Sequence, residues 1–333
     1  MELTPSRSVT LEQVARAAGV SPATASRVVT GVGPSSATAR RRVEEAVAAL
    51  GYVPHPVARS LARGLGHRLV VAVVGVQRSV LADPYVARVT AAAAEVADAH
   101  GLGAGLRWVP VGGAHGRVAL EDLGRDRSVS AVVVVNHTQQ LLESLPSALA
   151  GRTTAIGTGT GDVPGFDVDS PSGVEGLLRH LHSDGRREIV LATGPSWVAA
   201  ARRPLQAHRA FMHQVGLPVR TVAGNFTAER GRAAVQRALD RWPDTDAVIA
   251  LSDVAAFGVL AALAESGIAV PDDVAVAGFD DVPMAALAGP GLTTATHPVE
   301  AIAASAAECA LEGAVAPTPL RIFPSEVVVR HSA

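Results

Sequence analysis

The sequence of 333 residues contains no lysine; all 29 basic side chains are arginine. A P-loop needs a lysine on its phosphates and Schiff-base chemistry needs a primary amine side chain, so both are excluded. The single cysteine, Cys309, leaves no disulfide framework and no Cys-rich zinc site. No apolar run reaches the roughly 18 residues of a membrane span. The N-terminal stretch MELTPSRSVTLEQ lacks the apolar centre of a signal peptide. These absences predict a soluble, cytoplasmic protein with no membrane partner.

What is present suits two or three domains with substantial cores: 48% of the residues are apolar. The net charge of −2 conceals an asymmetry. Residues 1–66 carry eight arginines against four acids, whereas the remainder carries 21 against 27. A basic head on an acidic body predicts a polyanionic partner for the head alone.

VTLEQVARAAGVSPATASRVVTG reads as two short helices about one tight turn. Thr10 caps the first, and Gln13 completes a capping box. Leu11, Val14, Ala15 and Ala18 form its inner stripe. Gly19 takes the positive φ of the reversal. Ser21 caps the second helix and Pro22 occupies its first position. Ala25 and Val28 face back onto Ala15, whose small side chain lets the helices cross closely. This helix-turn-helix pattern presents Pro22, Ala23, Thr24 and Arg27 outward, small enough to enter a DNA major groove. Arg27 can pair with guanine O6 and N7, and Pro22 or Ala23 can meet a thymine methyl. Ser21, Thr24 and the helix N-terminus can hold phosphates. The alternative is an ordinary helical hairpin with Arg27 solvated. A third helix, capped by Ser36, carries Ala39, Val43, Ala46, Val47 and Leu50 on one face. Arg40, Arg41 and Arg42 near its start either reach the DNA backbone or are solvated.

At GYVPHPVARSLARG the chain resembles the LacI/GalR family of transcription regulators. The resemblance implies a DNA-binding headpiece in residues 1–54, a hinge helix in 55–66, and an effector-binding, dimerising core in 67–333. Pro56, Val57, Ala58, Arg59, Ser60, Leu61 and Ala62 match the hinge pattern. So short a helix is unstable alone; the family implies that two hinges pair on DNA and that Leu61 wedges into the minor groove. Read from composition, Leu61 can equally be a linker residue packed on the core. The residues thereby assigned to DNA are Thr10, Ser21, Pro22, Ala23, Thr24, Ser26, Arg27 and Arg40, with Pro56, Ala58, Arg59 and Leu61 from the hinge.

From Arg68 onward, buried strands such as RLVVAVVGV, VSAVVVVN, TTAIGTG, REIVLATG, VRTVAGN, AVIALSD and VAVAGFDD alternate with helical stretches. This is the pattern of parallel sheets covered by helices, an α/β class of two doubly wound lobes. The resemblance continues through FDVDSPSGVEGLLRHLHSDGRREIVLATGP and VPDDVAVAGFDDVPMAALAGPGLTTATHP. It implies a bilobal, periplasmic-binding-protein-like core crossed three times, with lobe 1 near 67–166 and 298–319 and lobe 2 near 167–297 and 320–330.

Ligands of such sheets bind beyond the C-terminal strand ends, here between the lobes. Matching the family position by position nominates Tyr85, Asn136, Asp169, Arg203, Phe226, Asp253, Asp280 and His297 for the effector. Carboxylates and aromatic faces suit a polyhydroxylated ligand. Asp169 and Asp253 can instead be helix caps, and Tyr85 and Phe226 core residues. Three positions depart from the family. Pro204 stands where an effector-clamping arginine is expected, with Arg202 and Arg203 just before it, and Ser252 and Ser170 replace asparagines. The departures imply an unusual effector or a one-residue shift that lets Arg203 substitute.

Other constellations fall away. GTGTG at 157–161 lacks GxGxxG spacing, and His180 and His182 point to different faces of a helix. Asp280–Asp281 lacks the neighbouring ligands of a metal-dependent hydrolase. The expected function is a homodimeric, ligand-responsive repressor that binds a palindromic operator and a carbohydrate-like effector, uses no cofactor and catalyses no reaction. A soluble sugar-binding receptor sharing the core is the alternative.

Overall fold

A computed structural model describes residues 9–30, 33–52, 67–313 and 320–333. The hinge assignments Pro56, Ala58, Arg59 and Leu61 lie outside the described residues.

Three helices build the headpiece: α1 (Leu11–Ala18), α2 (Pro22–Thr30) and α3 (Ala37–Leu50). Each start is set by a side-chain cap. The capping box of α1 forms as its residues predict: Thr10 Oγ1 accepts from the Gln13 amide and Gln13 Oε1 accepts from the Thr10 amide. Ser21 and Ser36 accept from the amides of Thr24 and Ala39. Gly19 ends α1 at φ 63°, where a Cβ would be strained. Val14, Ala15, Ala18, Ala25, Val43 and Ala46 are buried between the helices, with Leu11, Val28 and Val47 packed around them. Leu50, expected in this core, is instead exposed, because it stands at the last position of α3, where the chain turns away at Gly51.

The first lobe is a sheet of β1 (Arg68–Gly75), β2 (Gly103–Pro110), β3 (Val129–Val135), β4 (Thr153–Ile156), β5 (Gly165–Val168) and β11 (Arg321–Phe323). Their order is β11-β5-β4-β3-β1-β2, with every pair parallel. The second lobe contains β6 (Ile189–Ala192), β7 (Arg220–Val222), β8 (Ala247–Ala250), β9 (Ala275–Asp280), β10 (Thr293–Thr296) and β12 (Val327–Val328), ordered β12-β10-β9-β8-β6-β7. Only β12 runs antiparallel there. Valine-rich strands such as β1 and β3 are buried on both faces, as β-branched residues in helix-covered parallel sheets should be.

The lobe boundary near the C-terminus differs from the sequence reading. Arg321–Phe323 was expected in lobe 2 but pairs with Phe166–Val168 in lobe 1. An unpaired outer edge of β5 takes up the returning chain as a strand, so the last crossing comes between Phe323 and Val327. The first crossing likewise follows Val168.

Helices cover both sheets. In lobe 1, α4 (Pro84–Ala99) lies against α11 (Val299–Glu312) through small residues, among them Ala93, Ala97, Ala303 and Ala307. The outer strand β2 leads into α5 (Gly113–Arg125), and a short α6 (Gln139–Glu143) follows β3. Lobe 2 adds α7 (Ser170–Ser183), α8 (Arg202–Gln214), α9 (Ala228–Arg241) and α10 (Asp253–Glu265). Helices α9 and α10 cross so closely that a Cβ on Gly231 would sit 1.9 Å from the Ala255 carbonyl oxygen, and one on Gly258 equally near that of Ala228. Glycine is required at both crossings. Among the described residues no helix is long and apolar enough to cross a membrane.

Candidate DNA-reading helix and interlobe cavity

The outer face of α2 is built as the sequence suggests. Ser21, Pro22, Ala23 and Arg27 are exposed, Thr24 and Ser26 half-buried, and Ala25 turns inward. The hydroxyls of Ser21 and Thr24 lie 2.9 Å apart. Arg27 does not project freely: its Nη1 donates to the Pro34 carbonyl at 3.3 Å. That bond is between exposed groups, so little opposes its exchange for a base edge. Arg40 is exposed on α3 and Thr10 at the start of α1.

The second site is a cavity between the lobes, enclosing about 850 Å³ including its open mouth. Its walls come from C-terminal strand ends, where parallel strands leave loops and helix starts facing one crevice. Of the eight residues nominated for the effector, Tyr85, Asn136, Phe226, Asp280 and His297 line it. Asp169, Arg203 and Asp253 do not, and the reason is visible in each case.

Asp169 caps α7, its carboxylate accepting from the amide and hydroxyl of Ser172. The neighbouring Ser170 lines the cavity instead. Asp253 is fully buried; one carboxylate oxygen accepts from Thr294 Oγ1 at 2.6 Å and the other from the Val282 amide at 2.8 Å. It fastens the turn after β9, and burial pushes its carboxyl up to about 7. The cap of α10 is Ser252, which also lines the cavity. Arg203 reaches from α8 to Asp167 Oδ2 at 2.5 Å and to the Val168 carbonyl, so it backs the cavity rather than facing it. Pro204, at the position where the resemblance expects a clamp, is the wall residue.

Around the cavity the polar groups are coupled. His297 Nδ1 lies 2.9 Å from Asp280 Oδ1, and its ring packs against Tyr85 at 5.1 Å between centroids and edge-on to Phe279 at 6.0 Å. Burial holds the imidazole of His297 down to about 4 and the carboxyl of Asp280 well above its ordinary range, the latter with help from Asp83. Burial likewise raises Asp167 despite its arginine partner. The Tyr85 hydroxyl is pushed up by burial and by Asp280, Asp167 and Asp83. Asp280 has φ 113°, a conformation side chains rarely adopt, held by the structure on either side.

Sequence reasoning missed Asp83, His137 and Asp167 in the wall, and Arg88 behind it. Asp83 was legible as the cap before Pro84, where it accepts from the Tyr85 amide. Arg88 donates to the carbonyls of Asp280 and His297 and pairs with Glu300, tying α4 to the strand end and crossover. It stands three residues after Tyr85, but nothing in the sequence says that a distant crossover will meet it. Among the described residues no group of three His, Cys, Asp or Glu side chains is arranged to hold a metal ion. The assembled groups can accept hydrogen bonds from hydroxyls and offer aromatic faces.

Comparison with known proteins covers both parts of the chain. Residues 10–55 match the bacterial regulatory proteins of the lacI family, and residues 178–333 match a periplasmic binding protein-like domain. The HTH-type transcriptional regulator CelR of Thermobifida fusca is 30% identical over 98% of each chain. GalR of Escherichia coli is 28% identical, covering 97% of this chain and 95% of its own. A solved lac repressor dimer bound to operator and the anti-inducer ONPF aligns with a TM-score of 0.82 at 26% identity, over 98% of this chain and 99% of that one. A CelR–cellobiose complex aligns at 0.70 with 28% identity, over 98% and 100%. A capped helix-turn-helix joined to a two-lobed core, alike along nearly its whole length to such regulators, makes this chain a DNA-binding transcriptional regulator of the LacI family.

Proposed function

We propose that the protein is a repressor that binds a near-palindromic operator as a homodimer and responds to an uncharged carbohydrate held between its lobes. It acts in the cytoplasm, at the nucleoid when bound to DNA, and catalyses no reaction. The observation that carries this reading is the joint lining of one cavity by both lobes: a ligand there touches each, so its binding energy biases how they close. The cleft offers Asp280, Asn136 and Ser252 to hydroxyls, and Tyr85, Phe226 and Phe279 to an apolar sugar face. CelR, solved with cellobiose, supports a sugar as the ligand class, and the operator-bound lac repressor dimer supports a paired arrangement. Two copies would place each α2 in a major groove, with Arg27 reading a guanine and with phosphate contacts from Ser21, Thr24, Ser26 and Arg40.

The test is fluorescence anisotropy on inverted-repeat duplexes selected from random sequence, with and without a panel of mono- and disaccharides. A salt-sensitive preference for one inverted repeat, altered by at least one sugar, is the expected result. Equal binding to selected and scrambled duplexes would overturn the reading. Within that assay Arg27→Ala should cost about 1–3 kcal/mol and relax preference at a single base pair per half-site.

A further inference from the structure

One corner of the cavity is shaped by a side chain that is missing and another that takes its place. Gly157 ends β4 at φ 113°, a backbone state that side-chain-bearing residues rarely adopt. A Cβ there would lie 3.2 Å from Nε2 of His137 and 3.5 Å from Cβ of Ala200. The imidazole of His137, from the loop after β3, therefore fills the space that residue 157 leaves vacant. It is 2% exposed yet lines the cavity.

The backbone around His137 is fixed on both sides. Its carbonyl accepts from the Ala199 amide at 3.2 Å, a bond from lobe 1 to the lobe 2 segment that carries Val198, Ala200 and Ala201 into the wall. Thr138, the next residue, caps α6 through the Leu141 amide at 3.1 Å. The main chain is thus anchored while the ring's Nε2 lies on the Gly157 side. Ala200 flanks the same glycine, and Ile156 and Val198 add further apolar surface to the cavity wall. Burial holds the imidazole down to about 4, so at neutral pH it is uncharged and keeps one donor and one acceptor nitrogen.

Resting on the reading of the cavity as a carbohydrate site, we infer that His137 is a specificity-determining contact, the neutral polar group that recognises one particular hydroxyl of the ligand in an otherwise apolar corner. A sugar with a hydroxyl there pairs with the ring. An epimer or deoxy analogue without it leaves a desolvated imidazole unmatched, and buried polar groups discriminate most strongly against ligands that fail to meet them. Glycine at 157 suits the arrangement, because its positive φ strains a side chain and a Cβ there would press against the ring.

The experiment uses the full-length chain and calorimetry with D-glucose, D-galactose, D-xylose and cellobiose, then monodeoxy derivatives of whichever binds most tightly. Two variants, His137→Leu and His137→Phe, keep bulk and remove the nitrogens; His137→Gln restores hydrogen bonding. The carbonyl bond to Ala199 is made by backbone and survives all three. In the wild type one deoxy position should lose about tenfold or more. In His137→Leu or His137→Phe the parent sugar should weaken by a similar factor, and the penalty for that one deoxy position should vanish while the others remain. His137→Gln should recover most of the loss. Unchanged deoxy penalties in whichever non-bonding variant retains operator binding would overturn the role of His137 and leave the carbohydrate reading intact. A wild type that binds none of the sugars would overturn that reading and this inference together.

Discussion

The two walls of the cavity are made of different materials. Lobe 1 contributes the polar or titratable Asp83, Tyr85, Asn136, His137 and Asp167 beside the smaller apolar share of Ile156, Gly157 and Val168; lobe 2 contributes mainly Val198, Pro204, Phe226, Leu251 and Phe279, with Ser170, Ser252 and Asp280 as its polar members. Both walls are strand ends of the same kind of sheet, so topology does not explain the contrast. For the proposed ligand it would divide the work of recognition: directional hydrogen bonds chiefly from one lobe and non-directional apolar area from the other. A ligand bonded to lobe 1 alone would leave its apolar face in water, and closure onto lobe 2 recovers that burial. Asp280 stands apart in this scheme, a lobe 2 residue whose carboxyl meets His297 at the crossover and whose main-chain carbonyl accepts from Arg88 of lobe 1.

The sharpest way to break the comparison is therefore Asp280→Ala, which removes the polar group shared by both sides. It should weaken sugar binding by roughly a hundredfold, and abolish the ligand's effect on DNA, while operator affinity without sugar stays near wild type. Asp280→Asn, nearly isosteric and tolerant of positive φ, checks that loss of the carboxyl rather than of the turn is responsible. Calorimetry returning an unaltered affinity for both variants would remove Asp280 from the site.

A smaller effect is expected on the apolar side. Phe226→Ala should cost about tenfold in sugar affinity through lost stacking and buried area. Because that loss is non-directional, it should fall nearly evenly across epimers and deoxy analogues, unlike the selective loss expected at lobe 1. Phe226 also fills space beside Gly194, where a Cβ would lie 3.0 Å from its ring, so thermal unfolding must accompany the titration. A selective change in epimer preference would mean that the aromatic wall reads stereochemistry and that the division drawn above is wrong.

The same contrast explains which parts of the molecule could be read from sequence. The headpiece was legible almost residue by residue, since caps and turns are local: Thr10, Gln13, Ser21, Ser36 and Gly19 do what their immediate neighbours dictate. Continuous valine runs marked the central strands equally well. The outer strand β2, GAGLRWVP, carried no such run because one flank faces solvent and half of its residues are exposed. The two-residue strand β12 and the return of Arg321–Phe323 to lobe 1 depend on edges left open by distant segments. At the site, residues at or beyond a strand end whose side chains line the cavity, such as Tyr85, Phe226 and Asp280, were found. Asp169 and Asp253 share that placement, but local or buried partners take up their carboxylates. His137 and Asp167 were missed because their roles require knowing what the opposite lobe brings, Ala199 to one and Arg203 to the other.

The smallest expected effect concerns stability behind the lobe 2 wall. Pro204 and His208 lie one turn apart on the same face of α8; Pro204 lines the cavity and His208 is fully buried, with no hydrogen-bond partner on either ring nitrogen. Burial, aided by Arg209, holds its imidazole down to about 4, below the ordinary 6.5. The unfolded chain therefore takes up this proton before the folded one does. The contribution of His208 is complete above pH 6.5 and is lost as the pH falls toward 4. The buried carboxyls of Asp83, Asp167, Asp253 and Asp280 are shifted up and act in the opposite sense, so the total pH profile mixes both. His208→Leu separates them, because those carboxyls are common to both proteins and cancel in the difference. The variant should gain on the wild type as the pH is lowered from 7.5 to 5, by on the order of 1 kcal/mol or a few degrees in Tm. A gap in Tm that stays constant over that range would show that His208 takes its proton equally in both states, and that lobe 2 is wetter behind its apolar wall than its burial implies.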